Sequence, residues 1–202
     1  MSRTDLSESL AAVLLAAGSS SRLGQPKQLL RIEGEALVAR TARKLLSLET
    51  AGVIVVTGCE SSAVSDQLSG MPLQIVHNPG WQQGMGTSIA RGVKQLPVAA
   101  LGVLIMLCDQ WRVDQADLEL LFSAWCSDIS QIVVARWGSS GSADFGPPVI
   151  FPGDMFHELV ALQGDCGARP VIEKYRDRVE FVKMGHAAFD LDVPGDLEQY
   201  AR

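Results

Sequence analysis

Short unbroken apolar runs alternate along most of this chain with stretches whose apolar residues recur every three or four positions. The runs at 11–17, 53–57, 73–77, 101–107 and 131–135 predict strands. The run at 101–107 is apolar at nearly every position, as in a strand covered on both faces. Between them, 37–48 places Val38, Ala42, Leu45 and Leu46 on one helical face, 85–96 does the same with Met85, Ile89, Val93 and Leu96, and 117–125 with Leu118, Leu121, Phe122 and Trp125. A shorter helix is predicted over 60–69. This alternation implies right-handed βαβ units, hence an α/β fold with a mostly parallel sheet in a three-layer α/β/α sandwich. Beyond Arg136 the pattern is less regular. A Gly/Ser-rich loop is predicted over 137–144, a short strand over 149–151 and a helix over 154–162. Closing strands follow over 179–182 and 188–191, with a last helix beginning near Pro194.

The 202 residues suit a single domain, with no repeat or linker that would divide them. Residues 10–17 could be mistaken for a secretory leader, but Asp5 and Glu8 stand where a leader would be basic, so a buried first strand is expected. A net charge of −6 argues against a nucleic-acid partner, which needs a basic footprint. It leaves room for a nucleotide held by a few local cations. Cys59, Cys108, Cys126 and Cys166 form no C-x-x-C pair, and His77, His157 and His186 fit no zinc spacing. A reducing, cytoplasmic setting is expected, with no membrane association.

The most informative stretch is L-L-A-A-G-S-S-S-R-L-G-Q-P-K-Q-L-L, residues 14–30. A buried strand runs into a small-residue loop whose backbone N–H groups can approach an anion, with Ser19, Ser20 and Ser21 as further donors and Arg22 and Lys27 as cations. The spacing is neither G-x-x-x-x-G-K-[ST] nor G-x-G-x-x-G. An ordinary βα turn with solvated cations would read the same way. Farther on, Asp109 directly follows the run at 101–107, where ligands of open α/β sheets bind. Its carboxylate is a hard oxygen donor suited to Mg²⁺.

The loop A-A-G-S-S-S-R-L-G-Q-P-K resembles the signature of nucleotidyltransferases with a GT-A-type, Rossmann-like fold, and most closely that of the molybdenum-cofactor nucleotidyltransferases. Five further segments are similar to motifs of that family: N-P-G-W-Q-Q-G-M-G-T-S (78–88), L-C-D-Q-W (107–111), G-P-P-V-I-F (146–151), G-D-C-G-A-R (164–169) and F-D-L-D-V-P-G-D-L (189–197). Trp111 stands where the family has proline.

The resemblance implies a nucleotide-binding half at about 11–110 and an acceptor-binding half at about 111–197. It implies nucleotide contacts from Leu15, Ala16, Ala17, Gly18, Ser19, Arg22, Lys27, Asn78, Gly84, Met85 and Ser88, with Arg22, Lys27 and Asp109 as the catalytic set. It implies Mg²⁺, replaceable by Mn²⁺, on Asp109 and Asp192, with Asp190 as the substitute ligand. Gly146, Pro148, Asp165 and Arg169 would face the acceptor. Trp81 reads as packing rather than base stacking, Ser88 is compatible with a helix cap, and Asp196 with a first-turn dipole partner. Ala17, in A-A-G where guanylyl-transferring members read A-G-G, points to CTP. The implied reaction moves CMP from CTP to the terminal phosphate of molybdenum-bearing molybdopterin, with a molybdoenzyme as a candidate recipient. GTP or another triphosphate, a sugar-phosphate acceptor, and a non-catalytic cofactor chaperone are the alternatives.

Overall fold

A computed structural model describes residues 2–20, 23–138 and 144–191. Within them, seven strands form one sheet, ordered β5-β4-β1-β6-β8-β7-β9. These are β1 (Leu10–Ala16), β4 (Gly52–Thr57), β5 (Gln74–His77), β6 (Gly102–Leu107), β7 (Ile132–Trp137), β8 (Asp144–Pro152) and β9 (Val179–Lys183). A separate hairpin pairs β2 (Arg31–Ile32) with β3 (Glu35–Ala36). All seven residues of β1 are buried. It pairs in parallel with β4 on one side and β6 on the other.

Alternation along the strands separates two cores. Leu10, Ala12, Leu14, Leu104 and Met106 face α2 (Leu37–Leu46), α3 (Ser61–Gln67) and α5 (Gln115–Ser127), with Leu6 of the short α1 (Arg3–Ser7) at the margin. Val13, Leu15, Val103 and Ile105 face α4 (Met85–Val93), α6 (Phe156–Val160) and α7 (Arg169–Lys174). The three layers therefore follow from period-two patterning on strands whose every side chain is apolar. No helix among the described residues is long and apolar enough to cross a membrane.

The second half departs from the expected pattern in two places. The short strand expected at 149–151 is the end of the nine-residue β8, which runs antiparallel to both β6 and β7. Pro147 and Pro148 hid its first part, because proline interrupts a ladder. They lie where the β7–β8 register shifts, between Val134 and Ala135, so few ladder bonds are lost. The strand expected at 188–191 does not form. Gly185–Ala188 is a 3₁₀ turn instead, and β9 already occupies the free edge of β7. Ala187 and Leu191 bury their side chains without pairing. The α7 helix begins at Arg169, the last residue of the G-D-C-G-A-R segment, which is compatible with a helix start, and Pro170 lies in its first turn. The helix expected from Pro194, with Asp196, and most of the loop expected at 137–144 lie outside the described residues.

Leu14 is fully buried at the centre of the sheet. Leu14→Ala should lower unfolding free energy by about 2–5 kcal/mol, read from the shift in denaturant midpoint at unchanged slope.

Candidate active site

The parallel strands β1 and β6 end side by side, and a cleft of about 350 Å³ opens beyond them. Its walls include Leu15, Ala16, Ala17, Gly18 and Ser19 from the end of β1, Leu107, Cys108 and Asp109 from the end of β6, and Gly84, Met85 and Ser88 from the start of α4. Lys27, Gln28, Trp81, Gln82 and Asp165 complete it.

The loop after β1 is shaped from behind by Gln28, which is 1% exposed. Its side-chain amide donates to the carbonyls of Ala16 (3.1 Å) and Gly18 (2.6 Å). The Lys27 amide donates to Ser20 Oγ at 3.0 Å. These bonds fold the 3₁₀ turn Lys27–Leu29 back over the loop and aim the Lys27 ammonium into the cleft, where it forms an ion pair with Asp109 Oδ2. Two residues 82 positions apart thus meet at the ends of neighbouring strands. Sequence reasoning missed Gln28; its only signal was a polar side chain directly after Pro26-Lys27.

Asp109 is 4% exposed. Next to it, burial and then the Asp109 charge push the Cys108 thiol far above its ordinary range, so this wall presents a protonated thiol and no thiolate nucleophile. The turn after Asp109 is braced at several points. Gln110 donates to the carbonyl of Pro147, and Lys44 Nζ donates to the carbonyls of Trp111 and Val113. Desolvation, then the nearby Arg40 charge, lowers the pKa of Lys44.

Asn78 is buried and is not among the lining residues. Its amide donates to Thr87 Oγ1 (2.9 Å) and Ser88 Oγ (3.0 Å), and its carbonyl oxygen accepts from the Gly80 amide (3.0 Å). It builds the wall from inside. Ser88 does not cap α4: the cap position is Gly84, and Ser88 lies one turn in, accepting from Asn78. Gly84 has φ +109°, and a Cβ there would collide with the Gly164 backbone and the Asp165 carboxylate. The Gly86 amide donates to the Gly164 carbonyl at 2.8 Å. Only glycine permits this approach, and the approach carries Asp165 into the cleft. Trp81 both lines the cleft and packs on Gly58, where an added Cβ would lie 2.6 Å from Trp81 Cβ.

Of the four residues expected at the acceptor side, Asp165 reaches the cleft and the other three do not line it. Gly146 packs under the Trp137 ring, Pro148 is buried next to the Pro147 carbonyl that Gln110 holds, and Arg169 pairs with Glu173 at 2.9 Å. The Arg169 guanidinium also lies 4.9 Å from the centre of the Phe145 ring. Arg176 stacks over Phe145 and Phe181, and Arg136 over Phe181, so three guanidinium groups surround two phenylalanines that meet edge to face. Arg22 and Asp192 lie outside the described residues. Asp190 is described and half-buried, and its neighbour Phe189 stacks on Arg112, three residues beyond Asp109. His186, which the sequence left without a role, lies 2.7 Å from Asp117.

Residues 12–179 match the family model of the MobA-like NTP transferase domain. Purine catabolism protein PucB of Bacillus subtilis is 29% identical over 209 aligned positions, 96% of each chain. A probable molybdenum cofactor guanylyltransferase of Synechococcus elongatus is 34% identical over 111 residues, 54% of this chain and 55% of that protein. A bifunctional IPC transferase and DIPP synthase of Rubrobacter xylanophilus is 37% identical over 101 residues, 47% of this chain but only 23% of that protein. Among solved structures, Rv0371c of Mycobacterium tuberculosis superposes with TM-score 0.82 at 26% identity, covering 95% of this chain and 96% of that one. Its complex with manganese superposes with TM-score 0.77 at 24% identity, over 95% and 97% of the two chains.

Gln28→Leu should leave the Ala16 and Gly18 carbonyls without their side-chain donor. The expected cost is about 1–3 kcal/mol of stability, seen as a lower melting temperature.

Proposed function

The chain belongs to the MobA-like NTP transferase domain family, and from that premise we propose that it moves a CMP moiety from CTP to the terminal phosphate of molybdenum-bearing molybdopterin, releasing pyrophosphate. The observation that carries the transfer chemistry is the convergence of Lys27 and Asp109 on a cleft walled by the loop after β1. In this reading residues 11–110 hold the nucleotide and 111–197 the acceptor.

A phosphate monoester is largely ionised at neutral pH, with its second pKa near about 6, so the acceptor oxygen attacks the α-phosphate without a protein base. No histidine is among the described residues that line the cleft, and burial raises the pKa of the Cys108 thiol, both in keeping with that. What remains for the protein is positioning and charge stabilisation. The backbone of Ala17–Ser19 faces the triphosphate, while Lys27, with Arg22, stabilises the departing pyrophosphate. Asp109 offers a buried, hard oxygen donor that fits Mg²⁺ or Mn²⁺, and the manganese complex of Rv0371c is in keeping with such a site. Asp109 and Asp192 would hold the ion, which supplies positive charge to phosphate oxygens. Ser88 and Met85 line the nucleoside end.

The acceptor side carries its own support. Arg136, Arg169 and Arg176 gather on the Phe145–Phe181 pair, although the chain as a whole carries −6. Asp165, which reaches the cleft, and Arg169 belong to one short segment. A ring-containing, anionic acceptor suits such a surface. GTP is the second reading for the nucleotide, favoured by the guanylyltransferase relative. The A-A-G at 16–18 favours CTP.

Purified protein, Mg²⁺ and molybdenum cofactor should release pyrophosphate faster with CTP than with GTP. Faster release with GTP would reassign the base, and tight cofactor binding without release would make the chain a carrier. Asp109→Asn should lower the rate by about 100-fold or more while the far-UV circular dichroism of the parent is retained, with a lower melting temperature because the buried Lys27 charge loses its partner. Near-parental turnover in that variant would remove Asp109 from the metal site.

A further inference from the structure

Arg112 stands on the turn that leaves β6 beside Asp109, and its neighbours are rings rather than carboxylates. The guanidinium lies 4.7 Å from the centre of the Trp111 ring and 4.1 Å from that of Phe189. Among the described residues it makes no hydrogen bond and no ion pair, although it is partly buried. Arg40, Arg43, Arg169 and Arg178 each meet a carboxylate instead. Asp114 and Asp117, the next carboxylates along the chain, already accept each other's backbone N–H in the cap of α5. Aromatic rings hold a guanidinium by its charge but offer no oxygen to its five N–H donors. The group keeps its charge at any physiological pH, and its planar fork matches the oxygens of a phosphate.

The backbone beneath it is fixed. The turn is closed by the Val113 amide on the Gln110 carbonyl at 3.3 Å, and the Trp111 amide donates to the Asp109 carbonyl at 2.9 Å. Lys44 holds the carbonyls of Trp111 and Val113, and Gln110 ties the turn to Pro147. On the other side, His186 on Asp117 and the buried Ala187 anchor the segment that bears Phe189. Trp111, where the motif has proline, supplies both a ring and a turn N–H that proline lacks.

We propose that Arg112, held between Trp111 and Phe189 with its N–H donors open, binds the phosphate monoester of the acceptor. The assignment rests on the nucleotidyl-transfer reading above. In that step an acceptor phosphate oxygen forms a bond to the α-phosphorus while the bond from that phosphorus to the pyrophosphate oxygen breaks, and no proton moves. Attacking and leaving oxygens lie in line on opposite sides of the phosphorus, so two anionic groups must be held at once, one at each end. Lys27, with the loop after β1, serves the leaving end. Arg112 comes from the turn after Asp109, on the neighbouring strand, and is the described arginine closest in sequence to Asp109. Its charge offsets the repulsion between acceptor phosphate and triphosphate, and its fork orients the attacking oxygen. Arg136, Arg169 and Arg176 then remain for the ring-bearing part of the acceptor.

The test is calorimetric titration of inorganic phosphate into the full chain with Mg²⁺ and saturating α,β-methylene-CTP, which fills the triphosphate end without transfer. Arg112→Met keeps an unbranched stem against the rings and removes the charge. It should weaken phosphate binding by about 10–100-fold while affinity for the analogue stays within about twofold of the parent. Arg112→Lys, with the charge but not the fork, should fall between the two. With CTP and molybdenum cofactor, both variants should raise the KM for the cofactor and leave the KM for CTP near the parent value. Far-UV circular dichroism taken alongside separates these effects from unfolding, and Arg112→Lys carries the test if Arg112→Met does not fold. Parental phosphate affinity in the folded variants overturns the assignment, as does a parent chain that binds the analogue but no phosphate. Weakened analogue binding with unchanged phosphate binding overturns it too, since Arg112 would then serve the triphosphate. A parent chain that binds both but releases no pyrophosphate from CTP and cofactor overturns the transfer reading instead, and Arg112 is then judged on phosphate binding alone.

Discussion

The strand β1 has no free edge and no free face. It is hydrogen-bonded in parallel to β4 and β6, and its side chains divide between two apolar cores. A slip of one residue would exchange the side chains facing each layer, putting Leu14 where Val13 and Leu15 now pack. The register is therefore fixed, and with it the point at which the chain leaves the sheet at Ala17. The rest of the site is measured from that point: Gln28 folds the next turn onto the loop, Lys27 follows, and β6 delivers Asp109 to the same edge.

The Lys27–Asp109 pair that results is not well explained as a device for stability. Its side chains are only 17% and 6% exposed, and burying two charges costs solvation that their attraction need not recover. On the proposed transfer reading its sense is organisational. A cation and a carboxylate would then be held in place before substrate arrives, and little reorganisation would be required as phosphate charge entered. Burial and the Asp109 charge raise the pKa of the Cys108 thiol alongside, which disfavours its thiolate.

The second half of the chain is joined to this core by particular contacts rather than by continuation of the parallel pattern. The antiparallel β8 lies between β6 and β7, and Gln110 bonds to Pro147 within it. The glycines at 84 and 86 let the 163–165 segment touch the start of α4. Arg112 links the turn after β6 to Phe189. Each contact joins sequence regions far apart, and each lies next to a residue with a proposed part in transfer.

The layered architecture was legible in the sequence, because a fully buried parallel strand and an amphipathic helix leave distinct periodicities. The positions of the small-residue loop after β1 and of Asp109 after β6 were legible as well, because each directly follows an apolar run, although a plain βα turn with solvated cations reads the same way. Other features were not. The antiparallel direction of β8 is invisible to periodicity, which is the same for a strand read either way, and its two prolines concealed its length. Apolar alternation at 188–191 announced burial but could not say that packing, rather than pairing, would supply it. Gln28, Asn78 and the Arg112 stack are long-range or inward-facing polar contacts, and local sequence does not encode what a side chain will meet across the fold. The chain itself thus set which residues would be buried and which carried charge; only the packed structure decided which of those charges would meet, since that depends on where strands end relative to one another.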